Sequence, residues 1–81
     1  VIASRYRLRR TYVAKLLETR GVKASARGRA AALGISPATA WRLFHVPEDD
    51  EPEFFAGPDA VNAVCASFPD ESFHKLWEVP Q

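Results

Sequence analysis

Apolar positions along this chain fall mostly at helical spacing, with glycine and proline supplying the interruptions. The exception is Ser4-Arg5-Tyr6-Arg7-Leu8-Arg9, where apolar and basic side chains alternate. With Tyr6 and Leu8 on one side and the arginines on the other, it predicts a short extended segment or the ragged start of a helix. From about Arg10 the period becomes helical: Val13, Leu16 and Leu17 stand at i, i+3, i+4, with Tyr12 flanking them. Arg20 followed by Gly21 stops that helix. A second helix is expected from about Ala26 to Leu33, with Ser25 as its N-cap and Gly34 closing it. Its four alanines (Ala26, Ala30, Ala31, Ala32) leave room for another backbone to approach, while Gly28 weakens it by roughly 1 kcal/mol relative to alanine. Ile35 would plug the following turn into the core. Ser36-Pro37, a cap followed by a first-turn proline, opens a third helix that runs to about His45 and ends before Pro47.

On a helical wheel Ala40, Leu43 and Phe44 cluster with Ser36, and Ala38, Trp41, Arg42 and His45 fall opposite. Residues 47–56 read as an acidic, proline-bounded loop. Gly57-Pro58-Asp59 starts a fourth helix with Val61, Val64, Cys65 and Phe68 on its apolar stripe. Pro69-Asp70 breaks the chain. Ser72 to Trp77 is expected to add one or two helical turns, burying Phe73, Leu76 and Trp77. Val79 is a candidate to pair with the Tyr6–Leu8 segment in a short ladder. The expectation is thus one all-α domain over residues 1–81, of about five short helices, with a central motif at 25–45 and C-terminal helices within 58–78.

Charge changes the picture more than composition does. The formal net charge is only +1. Yet residues 1–45 carry ten basic side chains against the single acid Glu18, and residues 46–81 carry nine acids against Lys75. A basic half of this kind attracts a polyanion. Eighty-one residues suffice for one core, and 47% apolar content argues against disorder. No apolar run approaches the roughly 20 residues that span a bilayer, and no secretory apolar segment is present, so a cytoplasmic location is expected. The lone Cys65 excludes an internal disulfide and a cysteine-based zinc site, and reads as a small apolar residue on a helix face. The chain starts at Val1 rather than Met, which leaves room for a preceding segment.

Residues 25–45 carry the chemistry. Two short helices joined by a three-residue turn, with a small Ala30, then Gly34, Ile35, Ala40 and Leu43, match the spacing that lays a second helix in the DNA major groove. Arg42 on the outer face would read a base, since its guanidinium can donate twice to guanine O6 and N7; the alternative is a solvated or phosphate-bound arginine. Ala38 and Pro37 offer apolar contact to a thymine methyl group, or serve only to start the helix. Trp41 either reaches DNA or packs against Phe55 under the acidic loop. Phosphate contacts are expected from Lys23, Arg27, Arg29 and His45, and from Ser25 and Ser36 at helix starts. Arg5, Arg7, Arg9 and Arg10 form either an arm reaching a neighbouring groove or a strand edge kept charged. Neither His45 nor His74 has the neighbours of a metal site. Phe54 and Phe55 are adjacent, so one of them is an interface candidate. There is no nucleophile with a nearby base and no glycine-rich phosphate loop, so neither an enzyme nor a small-molecule substrate or cofactor is expected.

Tyr6-Arg7, Leu16-Leu17 with Arg20-Gly21, Ala30 with Leu33-Gly34-Ile35-Ser36, and Arg42-Leu43 together resemble the Cro/C1-type helix-turn-helix, the phage-repressor and xenobiotic-response-element class. The ending Phe68-Pro69, Phe73, Leu76-Trp77-Glu78-Val79 is similar to tails of small actinobacterial and actinophage members. The resemblance implies a compact all-α domain, binding to double-stranded operator DNA and transcriptional regulation, often as a homodimer on a palindrome. Two positions depart from the family pattern. Ala26 stands where members place a backbone-clamping glutamine, and Arg29 where they place an aliphatic residue. The rival expectation is a protein-interaction module, antitoxin-like or adaptor-like, acting through the aromatic, acidic half on the same scaffold.

Overall fold

The computed structural model describes residues 6–79. Within them the chain forms β1 (Arg7–Leu8), α1 (Arg10–Thr19), α2 (Ala26–Leu33), α3 (Pro37–Phe44), α4 (Pro58–Ser67), α5 (Phe73–Leu76) and β2 (Trp77–Glu78). Five helices surround one core, and a two-stranded antiparallel sheet joins the two ends of the described segment.

Each helix boundary has a local cause. Ser25 Oγ accepts the Gly28 N–H at 3.1 Å, and Ser36 Oγ accepts the Thr39 N–H at 3.2 Å, so both central helices start on a side-chain cap. Pro37 and Pro58 follow their caps, where a missing N–H costs nothing. Gly34 ends α2 at φ 72°, its N–H and that of Ile35 both returning to the Ala30 carbonyl. Gly28 has a more specific role than its low propensity suggests: a Cβ there would lie 2.7 Å from the Lys23 carbonyl oxygen. The turn before α2 folds against the helix at the one position lacking a side chain.

Val13 and Leu17 of α1, Leu33 of α2, Leu43 of α3, Val64 of α4 and Phe68 just beyond it meet Leu76 and Trp77 in the core. Only Ala30 of the α2 alanines is buried, and α3 lies against that side. Ile35, half-buried, packs on the core from the turn, as its position requires.

The expected five helices are present, and a two-stranded ladder at the ends is added to them. Leu8 pairs with Trp77 and Arg7 with Glu78, while Tyr6 bridges to Ala56. The ladder expected at Val79 therefore forms one and two residues earlier, and Trp77 is a strand residue rather than a helical one. Two-residue strands carry no measurable period. What fixes this pairing is burial of Leu8 and Trp77 on one face and opposite charge on the other. Phe73, expected to be buried, is half-buried and meets Tyr6 edge-on at 5.2 Å.

Candidate nucleic-acid interface

α3 presents two chemically different sides. Ala40 and Leu43 are sealed in the core, whereas Ser36, Pro37, Ala38, Trp41 and Arg42 are exposed. Trp41 is 54% exposed and does not pack under the loop. Instead its indole stacks on the His45 ring, centroids 4.2 Å apart and planes 14° from parallel. One turn of helix separates them, so the stack follows directly from i, i+4 placement. Arg42 projects from the same side, with no ion-pair partner among the described residues.

The segment 47–54 folds back along this helix. Glu51 accepts the Glu48 N–H at 2.9 Å and lies 3.3 and 3.4 Å from His45 Nε2 through its two oxygens. The Glu48 N–H and the His45 contact hold its carboxyl below the ordinary carboxylate range. A groove of about 240 Å³ remains between the helix and the loop, walled by Trp41, Arg42, Pro47, Pro52 and Phe54, with Glu51 and Glu53 at its edge. Charge here is mixed: one free guanidinium stands beside two carboxylates.

On the other side of α3 lies the start of α2. Ser25, Ala26 and Arg29 face Ala40, Trp41, Phe44 and His45 across a smaller cleft. Arg29 is half-buried, its guanidinium carbon 4.2 Å from the Phe44 ring centroid. The arginine thus serves as apolar cover: its stem and planar head lie over Phe44 while its edge stays wet. Lys23 and Arg27 are exposed and without an ion pair among the described residues. Ser25 spends one acceptor on its cap. Ser36 both caps Thr39 and donates to its hydroxyl at 2.9 Å, so its proton is already engaged.

The remaining basic cluster behaves differently. Arg7 bonds Glu78 through Nε at 2.7 Å and again through Nη2, and reaches Glu53 at 3.7 Å. Arg9 donates to the His74 carbonyl at 2.8 Å and lies 3.6 Å from Glu78, and Arg10 lies 3.6 Å from Glu53. The bond to Glu78 raises the Arg7 pKa, and the same bond lowers that of Glu78. The free-arm alternative is thus corrected for Arg7, Arg9 and Arg10, which belong to a paired strand and the start of α1. Arg5 lies outside the described residues.

Sequence reasoning missed Glu51 and Glu53. Both looked like members of a solvated acidic run; only the return of the loop shows that one holds His45 and the other Arg7 and Arg10. Phe54 and Phe55 are both half-buried, Phe54 against the core. Among the described residues no group of three or more His, Cys, Asp or Glu side chains is placed to hold a metal ion. Among the same residues no helix is long and apolar enough to cross a membrane. No family model matches the chain, and no curated protein or solved structure does either.

Proposed function

We propose that this protein binds double-stranded DNA sequence-specifically as a helix-turn-helix regulator of the Cro/C1 kind. In this reading α3 lies in the major groove, Arg42 reads a base, and Pro37, Ala38 and Trp41 line the apolar part of the contact. Lys23, Ser25, Arg27, Arg29, Ser36 and His45 face the flanking phosphates. The role is transcriptional repression of phage or prophage type inside the bacterial cell, by two copies on half-sites about one helical turn apart.

One observation carries the reading. The side of α3 turned away from the core keeps Trp41 54% exposed and Arg42 exposed and unpaired among the described residues. An exposed indole and an unpaired guanidinium on one helix face together supply apolar contact and paired donors, the two kinds of contact that read base edges in the major groove. The start of α2 supports the reading further: Lys23 and Arg27 are unpaired beside it among the described residues, so cations accompany the exposed helix.

A second reading is favoured by the groove between Trp41 and Phe54, whose proline walls and flanking Glu51 and Glu53 suit a protein partner. Selection of random duplexes by the purified protein, at low and moderate salt, separates the two. Enrichment of a palindrome that persists at moderate salt supports a dimeric DNA-binding regulator. A single half-site supports a monomeric one. Salt-sensitive binding without enrichment means that only phosphate attraction operates, and the interaction module then takes precedence.

A further inference from the structure

We propose that His45 is a proton-dependent phosphate ligand: as an imidazolium it bridges Glu51 and a DNA phosphate, so that duplex binding strengthens as the pH falls. The inference rests on the DNA-binding reading and adds its regulation by protons.

The geometry begins with Glu51. An ionised carboxylate only accepts hydrogen bonds, so the ring nitrogen facing it must carry a proton. That nitrogen is Nε2, 3.3 Å from one oxygen and 3.4 Å from the other. Glu51 is itself fixed by the Glu48 N–H, so its aim does not wander. In neutral His45 the proton on Nε2 leaves Nδ1 with a lone pair and no proton. Nδ1 has no partner among the described residues. A lone pair aimed at solvent beside a docking surface repels a phosphate oxygen. Adding one proton turns the same atom into a donor, while Nε2 stays on Glu51.

The surroundings define the charge balance. From the loop, Glu51 favours the cation and opposes a nearby phosphate, while Glu53 beside it is already answered by Arg7 and Arg10. From α2, Arg29 shares the cleft with the His45 ring, and Arg42 lies on the same helix; both oppose the cation and favour the phosphate. Trp41 stacks flat on the ring at 4.2 Å, holding its plane and offering an aromatic face that favours a cation. Whenever the ring is neutral, the Glu51 carboxylate stands next to α3 with no charge on His45 to offset it. Protonation removes one unit of that charge where DNA would lie, and histidine is the side chain whose charge changes in the physiological range.

The test measures affinity for the selected duplex between about pH 8 and about pH 5.5, at constant salt, with selection carried out at both ends of that range. The expected result is a gain of about tenfold towards acid in the native protein, the scale of one added charge-assisted hydrogen bond. His45→Gln should flatten the dependence and His74→Gln should keep it. Glu51→Gln, which removes the carboxylate, should move the gain to lower pH. His45 ends α3 at the surface, so its variant should fold, and circular dichroism checks this. In NMR titration the His45 ring should hold its proton to higher pH with duplex than without. If His45→Gln retains the native pH dependence, or the ring titrates alike in both states, the inference is overturned and the DNA reading stands. If no duplex is bound at either pH, both fall.

Discussion

Two groups of arginines sit on this molecule, drawn from the same basic half of the sequence, and they have opposite surroundings. At the β1–β2 ladder Arg7, Arg9 and Arg10 are answered by Glu53 and Glu78, and they tie the acidic half of the chain to the basic one. Along α2 and α3, Arg27 and Arg42 meet no carboxylate among the described residues, and Arg29 rests on an aromatic ring rather than an acid. Density of positive charge in the sequence therefore does not locate a binding face. What locates it is where the folded chain leaves charge unanswered.

That contrast can be broken first at its structural end. Trp77 is buried opposite Leu8, and Trp77→Ala should cost about 3–5 kcal/mol of stability, enough to lower the thermal midpoint drastically or prevent folding. A midpoint close to native would mean that the ladder does not hold the ends. Gly28→Ala should come next. Despite alanine's better helix propensity, the Cβ meets the Lys23 carbonyl, and a loss of about 1–3 kcal/mol is expected in denaturant melts. A gain in stability would show that the turn simply moves aside.

Arg42→Ala sharpens the other end. Duplex affinity should fall by about 1–3 kcal/mol with relaxed preference at one base pair, while stability stays within about 0.5 kcal/mol of native. Arg27→Ala should weaken all sequences alike and reduce the salt slope by about one. The smallest effect concerns acid. Glu78 has its carboxyl lowered by the hydrogen bond from Arg7, and Glu51 by the Glu48 N–H and His45. A depressed carboxyl stabilises above its unfolded value and loses that contribution as pH falls through the folded value. The thermal midpoint should therefore decline below about pH 5, and Glu78→Gln should lower it at neutral pH but decline less on acidification. Equal acid limbs in the two proteins would mean that the ladder's charge pairing contributes nothing.

The helices were legible because each announces itself over a few residues. Ser25 and Gly34 bracket α2, Ser36-Pro37 opens α3, and Gly57-Pro58 opens α4, all through backbone rules that operate locally. The division of α3 into a core side and an outer side was legible for the same reason, since helical spacing alone separates Ala40 and Leu43 from Trp41 and Arg42. The ladder's register was not. Leu8 and Trp77 find each other across nearly the whole chain, and two residues leave no period to read. The partners of the charged side chains were hidden for a related reason. Glu51 and Glu53 sit two apart in one acidic run, yet one faces His45 and the other Arg7 and Arg10. Only the path of the loop assigns them.

The ladder also has a kinetic side. α2 and α3 meet across a turn of three residues, a closure made within a short stretch of chain. Arg7 and Glu78, by contrast, are 71 positions apart. Closing so long a loop costs more chain entropy than closing a short one, and contacts of high sequence separation slow folding. The helical pair can thus form early, while Leu8 and Val13 wait for Leu76 and Trp77 to arrive. A growing chain that has not yet delivered Trp77 holds the whole of α2 and α3 but lacks both the tryptophan they pack with and the pairing that closes the fold.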